Sequence, residues 1–152
     1  MKTSLMKWAK VMALVAIVAV LATAFVQANG QSAREPKGAF METIYFDYDS
    51  ATIMKCQIDR LDKNVNYLKQ FPDAVVTVQG QADEKGPNGY NKDLGKRRAK
   101  AVKNYLVDKG ICAKNIKICS IGEESPLDAA HDAKAHSVNR RVLFYFEGEC
   151  MN

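Results

Sequence analysis

Two residues of opposite charge, Asp83 and Arg98, stand out because of where the sequence places them. Asp83 lies in residues 80–89, a stretch rich in Gly, Pro and Asn that is typical of an exposed loop. Arg98 falls on the same helical stripe as Leu94 and Val102, so we expect it to face the core. A guanidinium in that position needs an anionic partner. A fixed anion and a fixed cation beside a glycine-rich mouth would suit a zwitterionic ligand.

The same two residues have a structural interpretation of equal weight. Asp83 and Arg98 could pair with each other, or with neighbouring side chains, and so hold the loop in place without binding anything. The residue pattern supports the ligand site and the structural pairing about equally, so both interpretations stay open at this point.

A catalytic interpretation would use the carboxylates of Asp47, Asp49 and Asp83, since glycoside cleavage needs two carboxylates across the scissile bond. All three also have structural roles open to them, as caps or as ligand contacts. No Ser or Cys nucleophile has a recognisable base beside it, and both histidines, His131 and His136, lie in one polar segment. We therefore predict that the protein is not an enzyme. Without a Cys-x-x-Cys motif or a histidine cluster, we also predict no metal site and no cofactor.

The elements that must position these residues follow from periodicity and from breakers. Apolar and β-branched runs predict strands at residues 43–48, 75–78, 116–121 and 141–146. Helical spacing predicts helices at residues 55–71 and 90–109, with a possible short helical piece at residues 129–136. The order β-α-β-α-β-β predicts an α+β domain, a two-layer sandwich with a mixed four-stranded sheet. Right-handed crossovers would place both helices on one face of that sheet.

The N-terminal residues resemble a secretory signal. Residues 1–28 have a basic start, an apolar run at residues 11–26 and a small-residue cleavage site ending at Ala28. Because the run is short for a membrane span, we favour cleavage over an uncleaved anchor, and no Cys follows the run to carry a lipid anchor. We therefore expect an exported protein of the periplasm or outer membrane. Its parts would be a signal peptide (1–28), a linker (29–42), one domain (43–148) and a C-terminal tail (149–152).

The positive charge of the chain does not point to nucleic acid. The formal net charge is +5, and three of the positive charges, on Lys2, Lys7 and Lys10, would leave with the signal. The remaining domain has no stripe of arginines and aromatic residues. We therefore predict that the protein does not bind nucleic acid.

Six motifs in order resemble the OmpA C-terminal-like domain family. The motifs are IYFDYDS at residues 44–50, GQADEKG at 80–86, YN at 90–91, LGKRRA at 94–99, GEESP at 122–126 and NRRV at 139–142. Together they extend over about residues 43–146, and the combination is specific although each motif alone would be weak. The resemblance implies a non-catalytic domain that binds peptidoglycan through the diaminopimelate of the stem peptide. It also implies that the last strand lies antiparallel between the first two.

The resemblance also assigns roles to residues. The family's key aspartate and arginine fall on Asp83 and Arg98, which would take the ligand's ammonium and carboxylate respectively. Asn91 matches a polar contact at the helix start. Asp47, Asp49 and Ser50 would form the neighbouring rim of the pocket. Arg140 matches an arginine for which we expect loop bracing or a rim contact, and for Arg141 we expect a structural role.

Two further expectations concern the departures from the family and the cysteines. Gln81 stands where family members commonly have His, which leaves open an alternative: a periplasmic interaction module that binds a Tol-type protein, with weak or lost peptidoglycan binding. An exported chain with four cysteines is compatible with disulfides, and three pairings are possible. Under the family topology, Cys112 and Cys150 would lie at the same end of the sheet. We therefore predict a Cys112–Cys150 disulfide.

Overall fold

The computed structural model describes residues 41–146. Four strands and three helices follow one another in the order β1 (Ile44–Tyr45), α1 (Ile58–Leu68), β2 (Val76–Gln81), α2 (Asn88–Asp108), β3 (Ile116–Gly122), α3 (Ala133–Asn139) and β4 (Arg141–Phe146). Short 3-10 turns precede α1 and β3. The predicted signal peptide, most of the predicted linker and the predicted tail lie outside the described residues. Within residues 41–146, no helix is both long enough and apolar enough to cross a membrane.

The strands form one mixed sheet in the order β1-β4-β2-β3. Strand β4 is antiparallel to both of its neighbours, with Val142 opposite Ile44 and Phe146 opposite Val76. Strands β2 and β3 are parallel, with Val76 opposite Ile116, because α2 provides the crossover between them. The predicted α+β class and the predicted insertion of the last strand between the first two are therefore confirmed.

One apolar core lies between the sheet and the two longer helices. Leu61, Val65 and Leu68 form the buried stripe of α1, at the spacing that the sequence predicts. The members contributed by α2 and the strands are Ala99, Val102, Leu106, Ile44, Val76, Val78, Ile116 and Val142. Because α1 and α2 share this single core, both lie on the same face of the sheet, as predicted.

Three of the differences between the predicted and observed element boundaries have a clear local cause. The predicted strand at 43–48 pairs only at Ile44–Tyr45, because the chain then turns and Asp49 adopts a left-handed φ of 51°. Helix α2 begins two residues earlier than predicted, directly after Pro87, whose fixed φ suits a helix start. The short helical piece lies later than predicted, where Asp132 Oδ1 accepts a hydrogen bond from the Ala135 N–H at 2.8 Å and caps α3.

Helix α2 approaches β2 closely at a pair of glycines. A Cβ atom on Gly80 would lie 1.8 Å from the carbonyl oxygen of Gly95, which is far inside contact distance. Gly80 is in β2 and Gly95 is in α2, so the absence of both side chains sets the distance between helix and strand. This contact lies one helical turn from Arg98 and one residue from Gln81, so it also sets the position of Arg98 relative to the end of β2.

The predicted Cys112–Cys150 disulfide is wrong. Cys112 is a free and exposed thiol, and so is Cys56. Cys119 in β3 is disulfide-bonded, and neither of those two thiols is its partner. Cys150 lies outside the described residues. Two cysteines that lie at the same end of a sheet need not have their sulfur atoms within bonding distance.

We predict that Gly80→Ala destabilises the domain by about 3 kcal/mol or more, because the new methyl group meets a backbone oxygen that cannot rotate away. Urea denaturation followed by circular dichroism measures the change. The matched control is Gly89→Ala, since no atom lies within 4 Å of a Cβ there. Gly89 is in the first turn of α2, where alanine should stabilise by about 0.5 kcal/mol. Equal stability of the two variants would contradict the close contact.

The cysteine assignment predicts a pattern of alkylation. In the folded, non-reduced protein, Cys56 and Cys112 should react with iodoacetamide, whereas Cys119 should react only after reduction. Peptide mapping by mass spectrometry under non-reducing conditions checks this. Protection of Cys112 before reduction would contradict its assignment as a free thiol.

Candidate functional site

A pocket of about 270 Å³ lies beyond the carboxyl end of β2. The residues that line it come from the turn after β1, the loop after β2 and the first two turns of α2. They are Tyr48, Asp49, Asp83, Lys85, Gly86, Pro87, Tyr90 and Leu94. The loop that the sequence singles out therefore forms one wall of a real cavity.

Arg98 lies behind this pocket and is fully buried. Its guanidinium donates three hydrogen bonds, all to backbone carbonyls: Nε to Ser50 at 2.8 Å, Nη2 to Asp47 at 2.9 Å and Nη1 to Gln81 at 2.8 Å. The aromatic ring of Phe46 also lies beneath it, with its centroid 5.4 Å from Cζ. Arg98 therefore ties the turn at residues 47–50 to the end of β2. The predicted anionic partner is replaced by carbonyl oxygens.

Burial lowers the pKa of the Arg98 guanidinium to about 10, and the nearby negative charge of Asp83 opposes this shift. The group stays cationic at neutral pH. Because the pKa is lower in the folded state than in the unfolded state, burial of this charge costs free energy of folding at every pH below about 10. The hydrogen bonds to the carbonyls offset that cost.

Asp83 is buried and its carboxylate is held from two sides. Oδ2 forms an ion pair with Nη1 of Arg140 at 3.0 Å, and Oδ1 accepts a hydrogen bond from the backbone N–H of Lys85 at 3.2 Å. Nε of Arg140 also donates to the Phe46 carbonyl at 3.1 Å. Asp83 and Arg98 therefore do not pair with each other; each is fixed by other neighbours. Arg140, for which we expect loop bracing or a rim contact, bridges the Asp83 carboxylate and the Phe46 carbonyl and is not among the described residues that line the pocket.

Asn91 lies beneath the loop after β2 rather than on the pocket surface. It is buried, and its Nδ2 donates to the carbonyls of Asp83 at 3.0 Å and Gly86 at 3.5 Å. The carboxylate of Glu123 accepts a further hydrogen bond from the same nitrogen. Asn91 thus holds the loop that carries Asp83 against the start of α2.

The turn after β1 forms the opposite wall. Asp49 lines the pocket, and its Oδ1 accepts a hydrogen bond from the Tyr90 hydroxyl. This hydrogen bond raises the pKa of Tyr90. Asp47 and Ser50 do not line the pocket; they supply the carbonyls that Arg98 binds, and Ser50 Oγ accepts from the Thr52 N–H at 3.1 Å. Of the three predicted rim residues, only Asp49 lies on the wall.

Two other predictions concern residues away from the wall. Gln81 is buried, and its backbone carbonyl accepts a hydrogen bond from Arg98. This hydrogen bond does not depend on the Gln81 side chain, because every residue has a backbone carbonyl. Arg141 is buried as well, and burial lowers its pKa. Its guanidinium donates to the carbonyls of Val138 at 3.3 Å and Ser125 at 3.4 Å, a structural role as expected.

Three residues that line the pocket were not singled out from the sequence: Tyr48, Tyr90 and Lys85. Tyr48 and Tyr90 are 61% and 42% exposed, which is high for large aromatic side chains. Lys85 is the one cation among the described residues that line the pocket. Tyr48, Lys85 and Tyr90 lie inside the motifs IYFDYDS, GQADEKG and YN, each within two residues of a residue already singled out, and that proximity was a usable signal.

The site is therefore a preformed polar pocket with two carboxylates, one exposed lysine and a buried guanidinium behind it. In the part of the chain that the structure describes, no group of three or more His, Cys, Asp and Glu side chains could hold a metal ion. The pocket is suited to binding a charged ligand by fixed hydrogen bonds.

Comparison with known proteins places the chain in a family. The model of the OmpA family matches residues 45–140. The peptidoglycan-associated lipoprotein of Pasteurella multocida (strain Pm70) is 36% identical over 148 residues, which cover 92% of this chain and 99% of that protein. The protein of the same name in Haemophilus influenzae (strain Rd) is 42% identical over 104 residues and covers 68% of each chain.

Solved structures agree with the sequence comparisons. The crystal structure of the peptidoglycan-associated lipoprotein from Burkholderia pseudomallei has a TM-score of 0.66 and 33% identity, and covers 68% of this chain and 88% of that one. The C-terminal domain of Helicobacter pylori MotB has the same TM-score at 18% identity, covering 73% and 88%, and shows the shared fold alone. The matched residues include both walls of the pocket, and the chain belongs to the OmpA family.

Proposed function

We propose that this protein is a non-catalytic peptidoglycan-binding protein of the cell envelope, and that its pocket holds the diaminopimelate of a stem peptide. The observation that carries the proposal is the fixed Asp83 carboxylate on the pocket wall, with the buried Arg98 guanidinium behind it. The names of the relatives supply the class of ligand, since several are peptidoglycan-associated lipoproteins. No cofactor is required for such binding.

Asp83 would accept the ammonium group of the ligand. Its carboxylate is already oriented by Arg140 and by the Lys85 N–H, so little ordering is needed when the ligand arrives. An ionised carboxylate has about four lone-pair positions, and the contacts with Arg140 and the Lys85 N–H use two of them. The remaining positions are free for a charge-assisted hydrogen bond.

Arg98 would donate to the ligand's carboxylate. The guanidinium has five N–H groups, and the three backbone carbonyls use three of them. Two N–H groups remain for an anion. Because Arg98 is fully buried without ligand, this contact requires the turn at residues 47–50 to shift slightly on binding.

The other predicted site residues would act around this centre. Asp49 would form the rim, with its carboxylate held by Tyr90. Asp47 and Ser50 would fix Arg98 through their carbonyls, and Asn91 would brace the loop. With Asp83 and Arg98 included, these roles give two direct ligand contacts, one rim contact and three supports.

The pocket would tether the protein to the cell wall on the periplasmic side of the envelope. The alternative is an interaction module that binds a Tol-type protein and has lost the ligand. Its sequence support is Gln81, and that support is weak because this residue reaches Arg98 through its backbone carbonyl. Retention on the cell wall without Asp83 and Arg98 would favour the alternative.

We predict that Asp83→Asn weakens retention on purified insoluble peptidoglycan by about tenfold or more. The amide keeps the size of the side chain but loses the charge that a ligand ammonium would contact, and a hydrogen bond to a charged group contributes about 1.5–3 kcal/mol. Co-sedimentation over a range of peptidoglycan concentrations measures the change.

The matched control for this experiment is Asp73→Asn. Asp73 is an exposed aspartate between α1 and β2, at the opposite end of β2 from the pocket. This variant removes the same charge and should bind as the parent does. Circular dichroism confirms that both variants are folded. Equal retention of the Asp83 variant and the control would contradict the proposed ligand contact.

We also predict that Arg98→Ala weakens binding more than Asn91→Ala does, by about tenfold or more against about threefold. Arg98 would contact the ligand's charge, whereas Asn91 holds the loop by hydrogen bonds to carbonyls. Dissociation constants are measured well below the melting temperature of each variant, so that only folded protein is compared. Equal weakening by the two changes would show that Arg98 only supports the loops.

A further inference from the structure

We propose that Lys85 binds a second carboxylate of the stem peptide, separate from the one assigned to Arg98. This inference rests on the proposed function. It makes Lys85 the residue by which the pocket distinguishes free from amidated stem peptides.

The first observation is the distribution of positive charge around the pocket. Arg98 is fully buried and Arg140 is already paired with Asp83, with only 16% of its side chain exposed. Lys85 is exposed and lines the pocket. Among residues 41–146, no carboxylate lies within ion-pair distance of its Nζ. Lys85 is therefore the one cation on the described pocket wall; the exposed Arg97 lies outside the lining residues, over the Tyr90 ring.

The second observation is that both the backbone and the ammonium group of Lys85 have defined contacts. Its backbone N–H donates to Asp83 Oδ1 at 3.2 Å, so its main chain has a fixed position relative to the carboxylate that would hold the ammonium. Its Nζ lies 5.6 Å from the centre of the Tyr48 ring, across the pocket wall. The cation is thus held over the cavity by an aromatic ring that itself lines the cavity.

The third observation concerns charge balance. The pocket wall carries Asp49 and Asp83 together with Lys85. With Arg98 and Arg140 beside this wall, the positive charges of the site outnumber its two carboxylates, and a zwitterionic centre held by Asp83 and Arg98 leaves that excess positive charge unbalanced. A stem peptide has further carboxylates, at its C-terminus and on the α-carbon of its γ-linked glutamate. Either one would complete the charge pairing, and amidation of that group would remove the contact.

The test uses a synthetic stem tetrapeptide, L-Ala-γ-D-Glu-diaminopimelate-D-Ala, in three forms. One has free carboxylates, one has an amide at the C-terminus and one has an amide on the glutamate α-carboxyl. Isothermal titration calorimetry on the full protein should show that one amidated form binds about twofold to fivefold more weakly than the free acid, as for an exposed ion pair. The form that is weakened identifies which carboxylate Lys85 contacts.

Lys85→Gln should abolish this difference, so that the free and amidated peptides bind equally. Lys85→Arg should retain it. The matched control is Lys114→Gln, an exposed lysine in the 3-10 turn before β3, and it should discriminate as the parent does. Discrimination that survives in Lys85→Gln, or equal binding of all three peptides by the parent, would overturn the role of Lys85.

The same titrations separate this inference from the proposed function. If the parent binds the free peptide and Asp83→Asn does not, the proposed function stands, and the behaviour of Lys85→Gln alone decides the role of Lys85. If the parent binds none of the three peptides, both the proposed function and the role of Lys85 are wrong.

Discussion

The site depends on one buried cation. Removing a guanidinium from water is costly unless its N–H groups find partners. Arg98 finds three of them in the carbonyls of Asp47, Ser50 and Gln81, which belong to two segments far apart in the sequence. The same hydrogen bonds that compensate the arginine therefore bring the turn after β1 to the end of β2. Arg140 adds a second tie between the same two parts of the chain, through the Phe46 carbonyl and the Asp83 carboxylate.

The second constraint is the close approach of α2 to the sheet. Gly80 and Gly95 have no side chains to separate the helix from β2, and a single methyl group on Gly80 would collide with the opposite backbone. This proximity lets an arginine one turn further along α2 reach the carbonyl of Gln81. The glycines and the arginine thus act together: the packing sets the distance that the hydrogen bonds require.

The remaining polar residues fix the loop that carries the Asp83 carboxylate. Arg140 holds Asp83 from the start of β4, and Asn91 holds its carbonyl from α2. A carboxylate fixed in this way loses little conformational entropy when it binds a ligand. The loop that carries Asp83 is consequently fixed, while the exposed side chains at the mouth of the pocket, Tyr48 and Lys85, remain available to a ligand.

The sequence alone predicts the class of fold, the strand order through its resemblance to a family, and the two charged residues that we propose for the site, Asp83 and Arg98. These follow from local periodicity, turn residues and motif order, all of which are visible along the chain. The interaction partners of these residues could be read only from the folded structure. It gave Arg98 three carbonyls instead of a carboxylate, gave Asp83 to Arg140, and left Cys112 as a free thiol. Hydrogen bonds and disulfides need ångström-scale distances between residues remote in sequence, and those distances exist only once the helices have packed on the sheet.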